Sequence, residues 1–183
     1  MKRLISFALG LLLLTGCSLE PALPSFGVVP DFVLTDQAGR KFSSKEQLAG
    51  RVWVADFVYT TCPGPCPRMS SQMRRIQDAI KPGSAFALVS FTVDPDNDTP
   101  PVLAEYAKRY KADPARWFFL TGSKADLRKL SYDAFHLNEI GGNLEHSTRF
   151  TLVDGMGRIR GYYETSEPEN IPKLIADIKR VSE

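Results

Sequence analysis

Two cysteines and one histidine are the residues of this chain best suited to metal or redox chemistry. Cys62 and Cys66 are separated by three residues, two of them proline, and His146 follows much later in the chain. Cysteine and histidine bind soft or borderline metals, and cysteine thiolates carry out disulfide exchange. The chain has only 3 cysteines and 2 histidines among 183 residues. The sequence therefore predicts a metal site, a redox dithiol, or one pair that serves as both.

The spacing of the two thiols leaves several kinds of site open. Thiol-disulfide enzymes of the thioredoxin type place two residues between their cysteines, whereas the three found here would let the sulfurs separate enough to hold a metal. A structural zinc site needs four closed ligands, and His136 and His146 lack the short spacing of zinc-finger histidines. Two thiolates and one imidazole instead suit copper. A purely structural disulfide is the remaining alternative, because exported proteins keep disulfides.

Three other residues have side chains that can bind metals but stand in contexts that favour packing. His136 lies among apolar residues just after a predicted helix, which favours a packed or capping role. Met69 and Met73 recur at helical spacing and are typical of a helix face in the core. His146 has no such periodic context and follows a Gly-Gly-Asn segment. We therefore expect His146, and not His136, to be the histidine of the site.

The first residues of the chain have the pattern of an export signal. Lys2 and Arg3 precede an apolar stretch at residues 4–14, which is too short for a typical membrane span of about 20 residues but suits a signal peptide. Leu-Thr-Gly then leads into Cys17, as in bacterial lipoprotein signals. We expect residues 1–16 to be a cleaved signal peptide and Cys17 to become lipidated, unless the signal is an ordinary cleaved one or a short uncleaved anchor.

The predicted export signal determines the compartment in which the remaining thiols, Cys62 and Cys66, would be found. Residues 17–30 contain several prolines and are predicted to be a lipidated tether, followed by a single domain at residues 31–183. We expect an exported, membrane-anchored lipoprotein that faces the periplasm or another extracytoplasmic space. With Cys17 acylated, Cys62 and Cys66 would be the free thiols in a compartment where disulfides persist.

Composition and charge exclude some classes of function. Lys and Arg number 23 and Asp and Glu 21, a net charge of +2 that Lys2 and Arg3 supply. The mature protein would be close to neutral, with no long basic run or basic stripe with interleaved aromatic residues. We therefore expect no nucleic-acid partner.

Alternating strand and helix patterns predict an α/β fold with a central mixed sheet flanked by helices and an N-terminal hairpin. The strand beginning at Val52 is rich in β-branched and aromatic residues and should be central and buried. Predicted strands cover residues 32–35, 41–42, 52–59, 85–93, 117–120, 149–153 and 159–163. Predicted helices cover residues 45–48 with a Ser43 or Ser44 cap, 67–80, 98–110, 123–131 and 168–181.

These elements place the dithiol between a buried strand and the start of a helix. Free amide groups and the helix dipole at a helix N-terminus favour an anion. We therefore expect a lowered thiol pKa for Cys66, and for Cys62 as well. The prolines restrict the backbone and should hold the two sulfurs close together.

Four sequence segments, in order, resemble the Sco (SenC) copper proteins of respiratory oxidase assembly. The likeness covers about residues 27–181. The segments are Asp56-Phe57-Val58-Tyr59-Thr60-Thr61-Cys62-Pro63-Gly64-Pro65-Cys66-Pro67, Thr92-Val93-Asp94-Pro95-Asp96-Asn97-Asp98-Thr99-Pro100, Trp117-Phe118-Phe119-Leu120-Thr121-Gly122 and Glu145-His146-Ser147.

The resemblance implies a thioredoxin-like fold and a copper site made by Cys62, Cys66 and His146. It also implies a role in delivering copper to the CuA centre of cytochrome c oxidase, or in keeping the cysteines of that centre reduced. The partners would then be the CuA-bearing oxidase subunit and a copper donor chaperone. Asp94 and Pro95 should form a loop at the same end of the sheet, where their segment could tune the site or meet a partner.

Two functions thus remain, and they differ at His146. A metallochaperone, which is not an enzyme, needs the imidazole as a ligand, whereas a thiol-disulfide oxidoreductase needs only the dithiol. A peroxidase or redox sensor would need an activating arginine or base, for which the sequence offers only Arg68. We favour the metallochaperone, with the oxidoreductase as the alternative.

Overall fold

The strands of this protein form one mixed sheet. The computed structural model describes residues 21–137 and 148–182. Its strands are β1 (Val33–Asp36), β2 (Lys41–Ser43), β3 (Val52–Val58), β4 (Phe86–Thr92), β5 (Trp117–Thr121), β6 (Arg149–Val153) and β7 (Ile159–Glu164). The described strands lie in the order β2-β1-β5-β4-β3-β6-β7.

Strand β3 lies inside this sheet, as its apolar sequence predicts. All of its residues are buried. It runs parallel to β4, in a register from Val52↔Phe86 to Val58↔Thr92, and antiparallel to β6. Strand β5 continues the parallel part, and β1 and β2 add the predicted N-terminal hairpin. A central parallel strand buried on both faces needs such a continuous apolar run.

Helices cover both faces of the sheet. They are α1 (Ser44–Gln47), α2 (Cys66–Ala79), α3 (Pro100–Arg109), α4 (Lys124–Lys129) and α5 (Asn170–Val181). Apolar side chains of α2, α3 and α5 pack into one core, and those of α4 and the N-terminal region pack into the other. Among these helices, none is both long and apolar enough to cross a membrane.

Helix α2 is held by the residues that the helical spacing singles out. Met69, Met73 and Ile76 are fully buried. Their burial fixes the helix against the sheet, because apolar side chains removed from water supply most of the packing energy. The helix ends at Ala79, slightly before the predicted stop at Pro82, since Ile80 is already in an extended conformation.

Other local predictions also differ from the structure. Neither serine makes a side-chain cap on α1, because the Ser44 hydroxyl instead accepts a hydrogen bond from the Phe32 amide at 2.9 Å. Helix α4 ends at Lys129 and continues as a π-helical turn, Leu130–Ala134. Helix α5 begins at Asn170 and not at Pro168.

The described part of the predicted tether, residues 21–30, lies against the domain. The Phe26 amide donates to the Ile159 carbonyl and the Val29 amide to the Gly157 carbonyl, both at 2.9 Å. Val29 is also buried. This segment therefore covers part of the outer edge of β7.

Candidate metal and thiol site

The dithiol lies where β3 ends and α2 begins. The loop from Tyr59 to Pro65 connects them, and Cys66 is the first residue of α2. Both cysteines are free thiols and are buried with Val58, and the partly buried Tyr59 packs against them. Because β3 and β4 are parallel, the loop after β4 meets the dithiol loop at the same edge of the sheet. This location matches the one expected from the sequence.

Hydrogen bonds favour the ionised form of Cys62. Burial of this thiol opposes ionisation, but the Cys66 thiol and the backbone amides of Cys66 and Gly64 are placed to stabilise a thiolate. The Tyr59 hydroxyl contributes in the same direction. These hydrogen bonds together outweigh burial and lower the pKa of Cys62.

Cys66 behaves in the opposite way. Burial raises the pKa of Cys66 to about 12, and the hydrogen bond between its thiol and Cys62 acts in the same direction. The prediction of a lowered pKa was therefore wrong for Cys66. The physical reason is burial, which opposes a charge on Cys66, while the amide of Cys66 at the start of α2 favours negative charge on Cys62. The pair thus combines one thiol whose pKa is lowered with one thiol whose pKa is raised.

Asp56 is a buried carboxyl group that sequence reasoning missed as part of this region. It is 0% exposed, and neither of its oxygens has a hydrogen-bond partner of good geometry among the described residues. Burial raises the pKa of Asp56 to about 7, and the nearby Ser90 hydroxyl only partly offsets that effect. An aspartate within an otherwise apolar strand is the sequence signal that could have revealed it.

The loop after β4 contains a second missed residue, Asp98. The sequence predicts a helix start here and a segment near the site but no partner for this carboxylate. Asp98 is fully buried and accepts hydrogen bonds from Thr60 and Thr92. The other two aspartates of this loop lie further out. Asp94 accepts a hydrogen bond from Asn97 at 2.8 Å, and Asp96 forms an exposed ion pair with Lys124.

His136 lies away from the dithiol. Its Nε2 atom lies 3.5 Å from the point where a side chain on Gly27 would begin. Gly27 accepts a hydrogen bond from Ile159, at the end of the sheet opposite the thiols. The φ angle of His136 is 51°, a left-handed conformation typical of a residue that ends a helix. This placement favours the predicted capping role.

The other predicted site residues have mixed outcomes. Met69 and Met73 are core residues, as their spacing indicates. His146 and Cys17 lie outside the described residues. Within residues 21–137 and 148–182, no group of three or more His, Cys, Asp or Glu side chains could hold a metal ion. Two soft thiol donors side by side fit a soft metal such as Cu(I), with a further ligand supplied from elsewhere.

The fold and the site together define a class of protein. A mixed sheet flanked by helices, with a dithiol between a central strand and the following helix, is a thioredoxin-like arrangement. The SCO1/SenC family model matches residues 22–183. The chain therefore belongs to the SCO1/SenC family.

Solved structures of similar proteins agree with this assignment. A SCO1/SenC family lipoprotein from Bacillus anthracis str. Ames is 33% identical, with a TM-score of 0.78 over 89% of this chain and 100% of that one. BsSco, a member of the Sco family of cytochrome c oxidase assembly proteins in which a disulfide switch was identified, is 30% identical, with a TM-score of 0.75 over 87% and 96%. Copper-bound ScoI from Bradyrhizobium japonicum is 25% identical, with a TM-score of 0.67 over 85% and 99%.

Proposed function

We propose that this protein is a copper metallochaperone that assists maturation of the CuA centre of cytochrome c oxidase. The observation that carries the proposal is the buried pair of Cys62 and Cys66, in which hydrogen bonds prepare one sulfur to be a thiolate. Family membership supports it, together with the copper bound by B. japonicum ScoI and the oxidase-assembly role of BsSco.

The proposed copper ligands are Cys62, Cys66 and His146. Thiolates suit Cu(I), and the addition of an imidazole makes a set that can also hold Cu(II). The lowered pKa of Cys62 makes its proton the easier of the two to lose, whereas Cys66, whose pKa is raised by burial, must release its proton when it binds the metal. Copper affinity should therefore increase with pH.

The chain also carries a proposed anchor. Removal of residues 1–16 would leave Cys17 as the lipidated first residue, which would hold the domain at the outer face of the membrane. The similar protein from B. anthracis is described as a lipoprotein. Cys17→Ala should abolish both the mobility shift due to the lipid and recovery in the membrane fraction. An unshifted variant that remains in that fraction would contradict the anchor.

Thiol-disulfide exchange with the oxidase cysteines is the second candidate function. The opposite pKa shifts of the two thiols favour it, because an oxidoreductase needs one nucleophilic thiolate and one thiol that resolves the mixed disulfide. The disulfide switch identified in BsSco is consistent with such a role. Copper binding and reduction can follow one another, since both require the reduced pair.

Copper transfer to a copper-free CuA domain tests the first function against the second. The copper-loaded wild type should transfer its ion, and His146→Ala should lose most of this transfer while still reducing an oxidised CuA domain. His136→Ala is the matched control and should retain both activities. If His146→Ala transferred copper as the wild type does, or lost reduction equally, the proposed role of this histidine would be wrong.

A further inference from the structure

Asp98 joins the two loops that lie at the dithiol end of the sheet. The Thr60 amide donates to the two carboxylate oxygens of Asp98, at 3.3 and 3.1 Å, and the Thr60 hydroxyl donates to Oδ1 at 2.5 Å. The Thr92 hydroxyl donates to Oδ2 at 2.6 Å. Thr60 follows β3 and Thr92 ends β4. One carboxylate therefore connects the ends of the two parallel strands from which the site loops begin.

The same network extends into the loop that contains Asp98. The Thr92 hydroxyl accepts a hydrogen bond from the Asp94 amide at 2.9 Å. The Asp98 amide in turn donates to the Asp94 carbonyl at 2.8 Å. The loop between β4 and α3 is thus folded back on itself, which places the carboxylate against Thr60.

Burial of the Asp98 carboxylate lowers the stability of the fold unless hydrogen bonds replace the lost water. Asp98 is 0% exposed, and none of the ion pairs within the described part of the chain includes it. Burying a carboxylate without a cation carries a large desolvation penalty. Hydrogen bonds from uncharged donors recover part of that cost.

The donor that Asp98 binds most closely is only two residues from Cys62. Thr60 precedes Thr61 and Cys62, and the Cys62 amide donates to the Tyr59 carbonyl at 3.3 Å, which makes this stretch a tight turn. Pro63 and Pro65 then limit the freedom of the rest of the loop. Fixing Thr60 therefore fixes the position from which the Cys62 side chain projects.

We propose that Asp98 is a positioning residue that holds the Cys62 loop, so that the two sulfurs are pre-organised to close on one another or on one metal ion. Asp98 itself touches neither sulfur in this proposal and acts through Thr60. The part that concerns metal binding rests on the proposed copper function. The part that concerns the disulfide does not.

Equilibration of the full-length protein with glutathione measures this pre-organisation directly. Cys62 and Cys66 together lose two electrons and two protons and form a disulfide, while one glutathione disulfide takes them up and becomes two glutathione thiols. The equilibrium constant reports how close the loop holds the two sulfurs. Asp98→Asn should shift it toward the open dithiol by about tenfold or more, since effective concentrations of this kind fall steeply with lost orientation.

Further variants separate positioning from other effects. Thr60→Val removes one donor and keeps the side-chain shape, so it should shift the equilibrium in the same direction by a smaller factor. The double variant should match Asp98→Asn, because residues in one network act non-additively. Two variants outside the network serve as controls. Asp96→Asn removes an exposed charge on the same loop, and Thr151→Val changes a buried threonine on β6. Both should leave the constant within about twofold, as expected for independent sites.

Two results would overturn the proposal. One is an equilibrium constant for Asp98→Asn equal to that of the wild type, and the other is an equal shift in Asp96→Asn or Thr151→Val. If Asp98→Asn does not fold in urea-unfolding experiments, Thr60→Val decides the question. Copper affinity is measured on the same proteins. Should the wild type bind no copper, the proposed function fails, while the glutathione equilibrium still tests Asp98.

Discussion

At the scale of single residues, Cys62 and Cys66 are the same chemical group in two different environments. The amide groups at the start of α2 and the Tyr59 hydroxyl favour a thiolate at Cys62, whereas burial keeps the proton on Cys66. A metal ligand and a nucleophile both need a thiolate. Cys62 is therefore the residue at which either reaction should begin.

Alkylation of the reduced protein tests this asymmetry. Near pH 7, iodoacetamide should modify Cys62 first, because its thiolate fraction is higher than that of Cys66. Exposure acts in the same direction, since Cys62 is 7% and Cys66 3% exposed. Mass spectrometry of peptides taken at increasing times locates the modified residue. Modification of Cys66 first, or of the two at equal rates, would contradict the assignment.

Asp56 gives the protein a pH-dependent stability. Its carboxyl pKa, ordinarily 3.8, is raised to about 7 by burial, so ionisation costs the folded state on the order of 4 kcal/mol. The folded state holds the proton more tightly than the unfolded chain. The contribution of Asp56 to stability should therefore be most favourable below about pH 4 and be lost as the pH rises through about 7.

Asp56→Asn should remove this pH dependence. The buried amide still lacks a good partner and retains part of the penalty. We therefore expect the variant to exceed the wild type by about 1–3 kcal/mol near pH 8 and to show no advantage near pH 4. Urea unfolding at both pH values measures the difference. Asp133→Asn, at an exposed position, is the control, and an equal effect in both variants would disprove the role of Asp56.

At the scale of elements, β3 and α2 form the structure that carries the dithiol. The continuous apolar run in β3 predicts a buried strand, and the helical spacing of apolar residues in α2 predicts a helix with one buried face. Both elements could therefore be predicted from the sequence. The helix face contains Met69 and Met73, which could also have been metal ligands by residue type. Their complete burial against the sheet makes them core residues.

Substitution of Met73 separates packing from metal binding. Met73→Ala should lower the free energy of unfolding by about 2–5 kcal/mol, as for other large-to-small changes in a core, while copper stoichiometry stays unchanged. Met156→Ala, at a side chain that is 67% exposed, should change neither. Loss of copper from folded Met73→Ala would show that the methionine is a ligand after all.

The features that sequence analysis missed depend on contacts between distant segments. The pKa of Cys66 is set by its burial and by its neighbour on the loop, and the role of Asp98 by a threonine 38 positions earlier. Periodicity and spacing report local structure and cannot reveal such pairings. The π-helical turn after α4 was missed because its sequence continues an ordinary helical pattern.

At the scale of the whole molecule, the N-terminal segment joins the domain far from the thiols. Residues 26–29 pair with the beginning of β7, and β3 begins at that same end of the sheet. Arg160 donates to the carbonyls of Leu23 and Pro24, and Arg180 to that of Pro21. A lipid on Cys17 would therefore hold the domain from the end opposite the dithiol and leave the site facing away from the anchor.

The arginine contacts should determine how firmly this segment is held. Asp154, which is buried, fixes the Arg160 side chain through an ion pair at 2.9 Å. Arg160→Gln should speed hydrogen exchange at the Phe26 and Val29 amides, which bond to Ile159 and Gly157, and leave the amides of β3 protected. Lys173→Gln, at an exposed position on α5, is the matched control. Unchanged exchange in Arg160→Gln would show that the strand pairing alone holds the segment.

The copper stoichiometry of the reduced protein is the measurement that decides whether Cys62, Cys66 and His146 form a copper site. We expect one tightly bound copper per wild-type chain, and loss or strong weakening of binding in both Cys62→Ser and His146→Ala. His136→Ala should bind copper as the wild type does, because this histidine lies at the other end of the sheet. Copper binding that is unaffected by His146→Ala, or no binding at all by a protein whose disulfide cycles readily, would contradict the three-ligand site and favour the oxidoreductase.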